Sequence, residues 1–195
     1  IAAWEEQKKV KEIMVFLHAH GVSTNLAVKI YKEYGDTSLQ VVQEDPYQLE
    51  RDIYGIGFKT ADRIAQALGL SPEHPSRIEA GIVFSLNETI NQGHVYVPRG
   101  MLVQRAIELL GVSHELLPAG LERLEKQERI RQEKLPSPNG RNDEMMDVVY
   151  LTPLYWGEVG VAERIKALTK AQSPLFLQEE LPQTGLELSD EQEQA

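Results

Sequence analysis

Eleven residues recur without a gap 34 positions apart: His20-Gly21-Val22-Ser23-Thr24-Asn25-Leu26-Ala27-Val28-Lys29-Ile30 aligns on Tyr54-Gly55-Ile56-Gly57-Phe58-Lys59-Thr60-Ala61-Asp62-Arg63-Ile64. Gly21 matches Gly55, Val22 matches Ile56, Ala27 matches Ala61 and Ile30 matches Ile64. An internal repeat constrains a fold more than composition does, because each copy must close into the same small unit. Both copies read as a tight glycine turn that opens a helix. The small Ala27 and Ala61 fall where the helices of such a unit approach closely.

The turn Gly55-Ile56-Gly57 carries chemistry. Glycine reaches φ > 0 without a Cβ clash, so two glycines around one apolar residue let the chain reverse in few steps while Ile56 plugs the core beneath. The amides of the turn and of the first helical turn then face solvent. Unpaired N–H groups and the helix dipole suit an anion there, a phosphate above all. Lys59, Thr60 and Arg63 lie at the same end and add charge and hydrogen bonds. In the first copy Gly21, Val22 and Ser23 occupy the turn; Ser23 stands in place of the second glycine, which suits a structural role. Main-chain amides on a phosphate carry no base information, so the expectation is DNA binding without sequence preference.

Charge argues the other way at first. The chain has 20 Lys and Arg against 30 Asp and Glu, a formal net charge of −10, where a phosphate-binding surface is ordinarily basic. The acidity is concentrated, however: residues 175–195 hold no Lys or Arg and six Asp or Glu. The rest is close enough to neutral to carry a local cationic surface. With 195 residues and 42% apolar side chains the chain can bury a sizeable core. It has no cysteine, no apolar run of membrane-spanning length and no leader pattern, so a cytoplasmic setting without a membrane is expected. It begins with Ile1 and ends in what reads as an interrupted helix, as a piece of a longer protein would.

Periodicity organises the remainder. Val10, Ile13, Met14 and Leu17 follow a helical spacing, as do Ala27, Ile30, Tyr31 and Tyr34, and Ala61, Ile64, Ala65 and Leu68. Gly35 and Gly69 close the second and third of these helices, and Asp45-Pro46 offers a helix start. Ser71 to Ser76 contains two prolines and marks a boundary, after which Ser76 and Glu79 have capping-box spacing. Further helices are expected from Ser76, from Arg99 to Gly111 and from Pro118. Residues 129–135 and 145–152 read as a two-stranded hairpin around Asn139-Gly140, and Val161, Ile165 and Leu168 as a closing helix. The fold class expected is mainly α. A tandem helix-hairpin-helix DNA-binding region spans 1–75, a winged-helix-like domain with a small two-stranded β hairpin spans 76–171, and an acidic connector spans 172–195. Arg129, Arg131, Lys134 and Arg141 place cations on the wing, where a solvated face is the simpler reading.

Taken together, His20-Gly21-Val22-Ser23, residues 30–36, Pro46-Tyr47, residues 53–62, Gly93-His94-Val95-Tyr96 and Leu154-Tyr155 resemble the N-terminal helix-hairpin-helix region of RecD-like ATP-dependent DNA helicases of superfamily one. The resemblance implies tandem hairpins that touch DNA, single-stranded or at strand junctions, ahead of an intramolecular motor moving 5′ to 3′ in repair or recombination. It also implies that residues 188–195 begin that motor, with Gln192 at the position of an adenine-contacting glutamine. ATP and Mg²⁺ would belong to the intact parent. No G-x-x-x-x-G-K-[ST] occurs in these 195 residues, so the expectation here is no cofactor, no metal and no catalytic residue.

Two other readings compete. A protein-docking or oligomerising module fits the acidic balance. The segment from Gly55 to Ala61 is also similar to the hairpin of base-excision DNA glycosylases, in which a lysine at the position of Lys59 is the nucleophile. Those enzymes need an aspartate where Arg77 stands, and no Asp occurs between Asp62 and Asp143.

Overall fold

The computed structural model describes residues 2–137 and 145–170, with side chains from Val10 onward. The described residues up to Tyr155 form one compact unit, and those from Trp156 onward belong to a second. The expectations for Asn139-Gly140, Arg141, Gln192 and the acidic connector lie outside the described residues.

The first half is helical throughout. Helices α1 (Ala2–Ala19) and α2 (Thr24–Tyr34) form the first hairpin; a short 3-10 turn (Gly35–Thr37) and α3 (Ser38–Glu44) lead to α4 (Gln48–Asp52) and α5 (Phe58–Ala67), the second hairpin. Gly35 ends α2 at φ 55°, as the punctuation predicts, whereas the helix start expected at Asp45-Pro46 falls later, at Gln48, with the Tyr47 amide bonding the Asp45 carboxylate at 3.1 Å in the turn before it. Ile13, Leu17, Val22, Ala27, Ile30, Val42, Leu49, Ile53, Ile56 and Ile64 build one apolar core.

Beyond it come α6 (Pro75–Ile90), β1 (Tyr96–Pro98), α7 (Arg99–Leu110), α8 (Leu116–Lys126), β2 (Ile130–Pro136), β3 (Met145–Leu151) and α9 (Thr152–Lys170). The sheet is antiparallel in the order β1-β3-β2. Val97 pairs with Val149 on one side of β3 and Gln132 with Val149 on the other. The expected two-stranded hairpin is thus three-stranded. The segment Tyr96–Pro98 is too short to announce itself as a strand, and its pairing with β3 is what makes it one.

Helix α6 is the spine of this half, packed by α7 and α8 at sites kept small. A Cβ on Gly81 would lie 2.6 Å from Leu110, and one on Gly120 2.8 Å from Ile78, closer than carbon atoms tolerate. The second core contains Ile78, Ile82 and Leu86 of α6, Leu102 and Ala106 of α7, Leu117, Leu121 and Leu124 of α8, and Val97, Ile130 and Val149 of the sheet. Tyr47, Phe58, Ala61 and Ala65 of the second hairpin belong to it as well. Helix α5 therefore serves both cores, with Ile64 turned to the first and Phe58, Ala61 and Ala65 to the second.

Two expectations change. Ser76 and Glu79 do not form a capping box. His74 caps α6 instead, its Nδ1 accepting from the Ser76 amide at 3.3 Å with Pro75 in the first turn. Glu79 is drawn away by a stronger partnership, an ion pair with Arg123 and a 3.0 Å bond from Gln127. Charge-assisted bonds of this kind outweigh a neutral cap. The helix expected to close the fold, α9, is present, but none of its residues is buried and Trp156, Val161, Ile165 and Leu168 are exposed.

Candidate nucleic-acid interface

The two turns are built alike. Gly21 has φ 75° and Gly55 φ 91°, a region that favours glycine over side-chain-bearing residues. Val22 and Ile56, 1% and 4% exposed, plug the first core from the two turns. Val22 donates to the Leu17 carbonyl at 2.9 Å and Ile56 to that of Ile53 at 3.1 Å. Of the two glycines in Gly55-Ile56-Gly57, only the first needs its freedom. Gly57 is extended at φ −102° and ψ 171°, and its equivalent Ser23 is extended at φ −68° and ψ 156°. The second glycine of Gly55-Ile56-Gly57 is thus not required by its backbone angle.

Gly57 caps α5 with its carbonyl, accepting from Thr60 at 2.9 Å and Ala61 at 3.2 Å. Its own amide and those of Phe58 and Lys59 make no hydrogen bond among the described residues. Nothing lies within 4 Å of the point where a Gly57 Cβ would sit, so the turn is open on that side. Unpaired amides at a helix start are the kind of donors that suit an anion.

The cations around this turn come from two hairpins. Lys29, on α2, donates to the Tyr54 carbonyl at 3.2 Å, and its Nζ lies 3.2 Å from the place of a Gly55 Cβ. The sequence reading missed Lys29. Its one signal is the 34-residue register, which sets Lys29 against Arg63 in the repeat. Arg63 is exposed on α5 and has no ion-pair partner among the described residues. Lys59 is exposed too, its Nζ 5.7 Å from the centre of the Phe84 ring. Thr60 is half-buried in the first turn of α5. The carboxylates nearby are already engaged: Asp52 accepts from Tyr34 at 2.8 Å and Gln48 at 3.0 Å.

Asp62 anchors the whole hairpin. Its Oδ1 accepts from the Tyr47 hydroxyl at 2.6 Å and from Arg77 Nε at 2.8 Å. The Arg77 side chain also donates to the carbonyls of Pro72 at 2.9 Å and Leu110 at 3.0 Å, and the residue is 8% exposed. Burial, then the bond to Asp62, pushes the Tyr47 phenol well above its ordinary range. The bond to Asp62 holds Arg77 above its ordinary value against the pull of burial. A glycosylase would need a carboxylate at residue 77. A buried guanidinium clamped to Asp62 stands there instead, and it neutralises the acid closest to Lys59 in sequence.

Each described cation of the wing has an acidic neighbour. Burial lowers the Arg129 guanidinium from its ordinary value, with Arg51 adding to the effect and Glu50, Glu79 and Asp45 opposing it. Arg131 lies 3.7 Å from Glu128, and Lys134 3.9 Å from Asp147. Among the described residues no group of three or more His, Asp or Glu is placed to hold a metal, and no helix is long and apolar enough to cross a membrane.

Residues 6–96 match the family of the ATP-dependent RecD2 DNA helicase HHH domain. The chain is 31% identical over 100 residues to an ATP-dependent RecD2 DNA helicase of Deinococcus radiodurans, a stretch that is 51% of this chain and 14% of that protein. Both hairpins, the turn at Gly55 and the clamp from Asp62 to Arg77 fall inside the matched residues. Residues 6–96 of this chain are thus a helix-hairpin-helix region of the RecD-like helicase type.

Proposed function

We propose that the second hairpin holds a DNA backbone, without reading sequence, as an accessory region of an ATP-dependent 5′–3′ DNA helicase acting in repair or recombination. The observation that carries this reading is the set of three unpaired amides at Gly57, Phe58 and Lys59, flanked by Lys29, Lys59 and Arg63. Amides of this kind, held by a turn that is rigid before any ligand arrives, grip a phosphate oxygen with little further ordering. The bound form is single-stranded DNA or a strand junction. The first hairpin, with Gly21, Val22 and Ser23 in its turn, contributes mainly as a brace through Lys29. Residues 76–171 form the winged-helix-like unit of the proposal. Their order of helix, strand, two helices and two strands supports that reading. ATP and Mg²⁺ act in the motor of the intact parent, with Gln192 near the adenine, in a cytoplasmic setting.

Salt tests the reading. Phosphate contacts release counterions, so the logarithm of affinity falls linearly with the logarithm of salt. Replacing Lys29, Lys59 and Arg63 together by alanine should weaken binding by one common factor on every sequence and flatten that slope by about 0.7 to 0.9 for each phosphate left without its cation. Sequence-selective weakening, or an unchanged slope, would count against it. A docking module remains the second reading, supported by the exposed Val161, Ile165 and Leu168 on one face of α9. Binding of a protein partner through that face would respond little to salt.

A further inference from the structure

Tyr54 is 99% exposed, while every other aromatic side chain of the two hairpins with described burial is at least partly covered. Its equivalent in the first copy shows what the same backbone position can do instead. His20 lies against Phe16 with ring centres 4.3 Å apart, and its Nδ1 is 2.8 Å from the Phe16 carbonyl. The Tyr54 ring makes no hydrogen bond or ring contact among the described residues, yet its backbone is fixed. Lys29 holds its carbonyl, Gly55 turns the chain beside it and Ile56 anchors the next step in the core. A large ring left in water on a rigid stalk forgoes the burial that aromatic side chains ordinarily gain.

From this we infer that Tyr54 is a stacking platform for an unpaired base, and that it makes the second hairpin prefer single strands and frayed ends to intact duplex. The inference rests on the backbone grip proposed above. Gly57 is three residues away, so the two Cα atoms lie at most about 11 Å apart, within reach of a nucleotide next to the gripped phosphate. Any base presents a π face, so stacking adds affinity without reading sequence. In a duplex each base is already stacked and paired, and the ring gains nothing unless that stack is opened.

The test is equilibrium binding of the whole chain to a labelled oligothymidylate and to a blunt duplex of equal length at one salt concentration. Tyr54→Ala should lower affinity for the single strand about tenfold and leave the duplex within about twofold. Tyr54→Phe should bind as the wild type does, since the ring face and not the hydroxyl is used. The thermal midpoint of both variants should equal that of the wild type, because the side chain is packed against nothing. Equal weakening on both nucleic acids, or none on the single strand, would overturn the inference. The grip is read separately, from the Lys59 and Arg63 substitutions, which leave the Lys29 bond to the Tyr54 carbonyl in place. If those weaken binding and Tyr54→Ala does not, only the platform falls; if the wild type binds neither nucleic acid, grip and platform fall together.

Discussion

At one position of the repeat His20 folds back onto Phe16, and at the equivalent position Tyr54 stands in water. The difference continues through the turn. His18 lies 2.8 Å from the Thr24 hydroxyl, a side-chain contact that the start of α5 lacks, although the first amides of α2 are as unpaired as those of α5. Thr24 is exposed, while Phe58 in the same place is buried between Tyr47 and Phe84. Val28 of the first copy becomes Asp62 in the second, which receives Arg77. One backbone design therefore serves two ends. The first hairpin turns His18 and His20 back on itself and reaches the second through Lys29 and Tyr34, while the second is clamped from behind by Arg77.

The largest effect expected is on that clamp. Arg77→Ala leaves the half-buried Asp62 carboxylate without its cation and should destabilise the chain by about 3 kcal/mol in chemical denaturation, the low end for breaking a buried pair. Hydrogen exchange should show protection lost in α5 before α2. Equal loss in both helices would show that the hairpins are not separately anchored.

Next come the paired glycines. Gly21→Ala and Gly55→Ala each force a side chain to positive φ, at a cost of about 1–2 kcal/mol, read from thermal denaturation. Only Gly55→Ala should also reduce DNA binding beyond what its lower stability explains. If Gly21→Ala reduces it as much, both turns grip DNA and the comparison fails.

A smaller effect sharpens the same point. Exchanging the cap residues, Ser23→Gly with Gly57→Ser, should change stability by no more than about 0.5 kcal/mol, since both positions are extended and open. DNA affinity should drop nevertheless, because a serine side chain now stands over the bare amides. Unaltered affinity would mean that the space above Gly57 is not used.

The smallest effect concerns Glu50 on α4. Burial holds its carboxyl above the ordinary value of 4.5, although Arg129 and Arg51 pull it down. The folded chain thus keeps a proton that the unfolded chain has released, so stability falls as pH rises through the interval between the two values. Glu50→Gln removes that loss. Its advantage over the wild type should be absent below the ordinary carboxylate value, grow as pH rises and level off toward neutrality. Denaturation at acidic and neutral pH measures it; a variant less stable at neutral pH would show that Glu50 is needed by Arg129.

The sequence revealed the parts of this arrangement that repeat and little of what joins them. Val22 and Ile56 as plugs, Ala27 and Ala61 as close contacts, and α1, α2 and α5 as helices all follow from spacing, because local backbone and periodicity impose them. The role of Gly57 does not follow, since glycine permits a positive φ without requiring one. Lys29 escapes such a reading because its partner, the Tyr54 carbonyl, is 25 residues away on another hairpin. Glu79 reads as a cap because Arg123, 44 residues on, competes for it only once α8 has packed on α6. The stripe on α9 is legible as helix, but periodicity shows that a face is apolar and not what covers it.

Arg77 reaches three separate stretches of chain, the side chain of Asp62 and the carbonyls of Pro72 and Leu110. Tension on a strand held at Gly57 would enter α5 and pass on through the packing of Phe58, Ala61 and Ala65 and through that guanidinium, which ends at α7. The grip and the sheet-bearing half would then be displaced as a single lever, and a tug on DNA would be felt at a distance from where it is held.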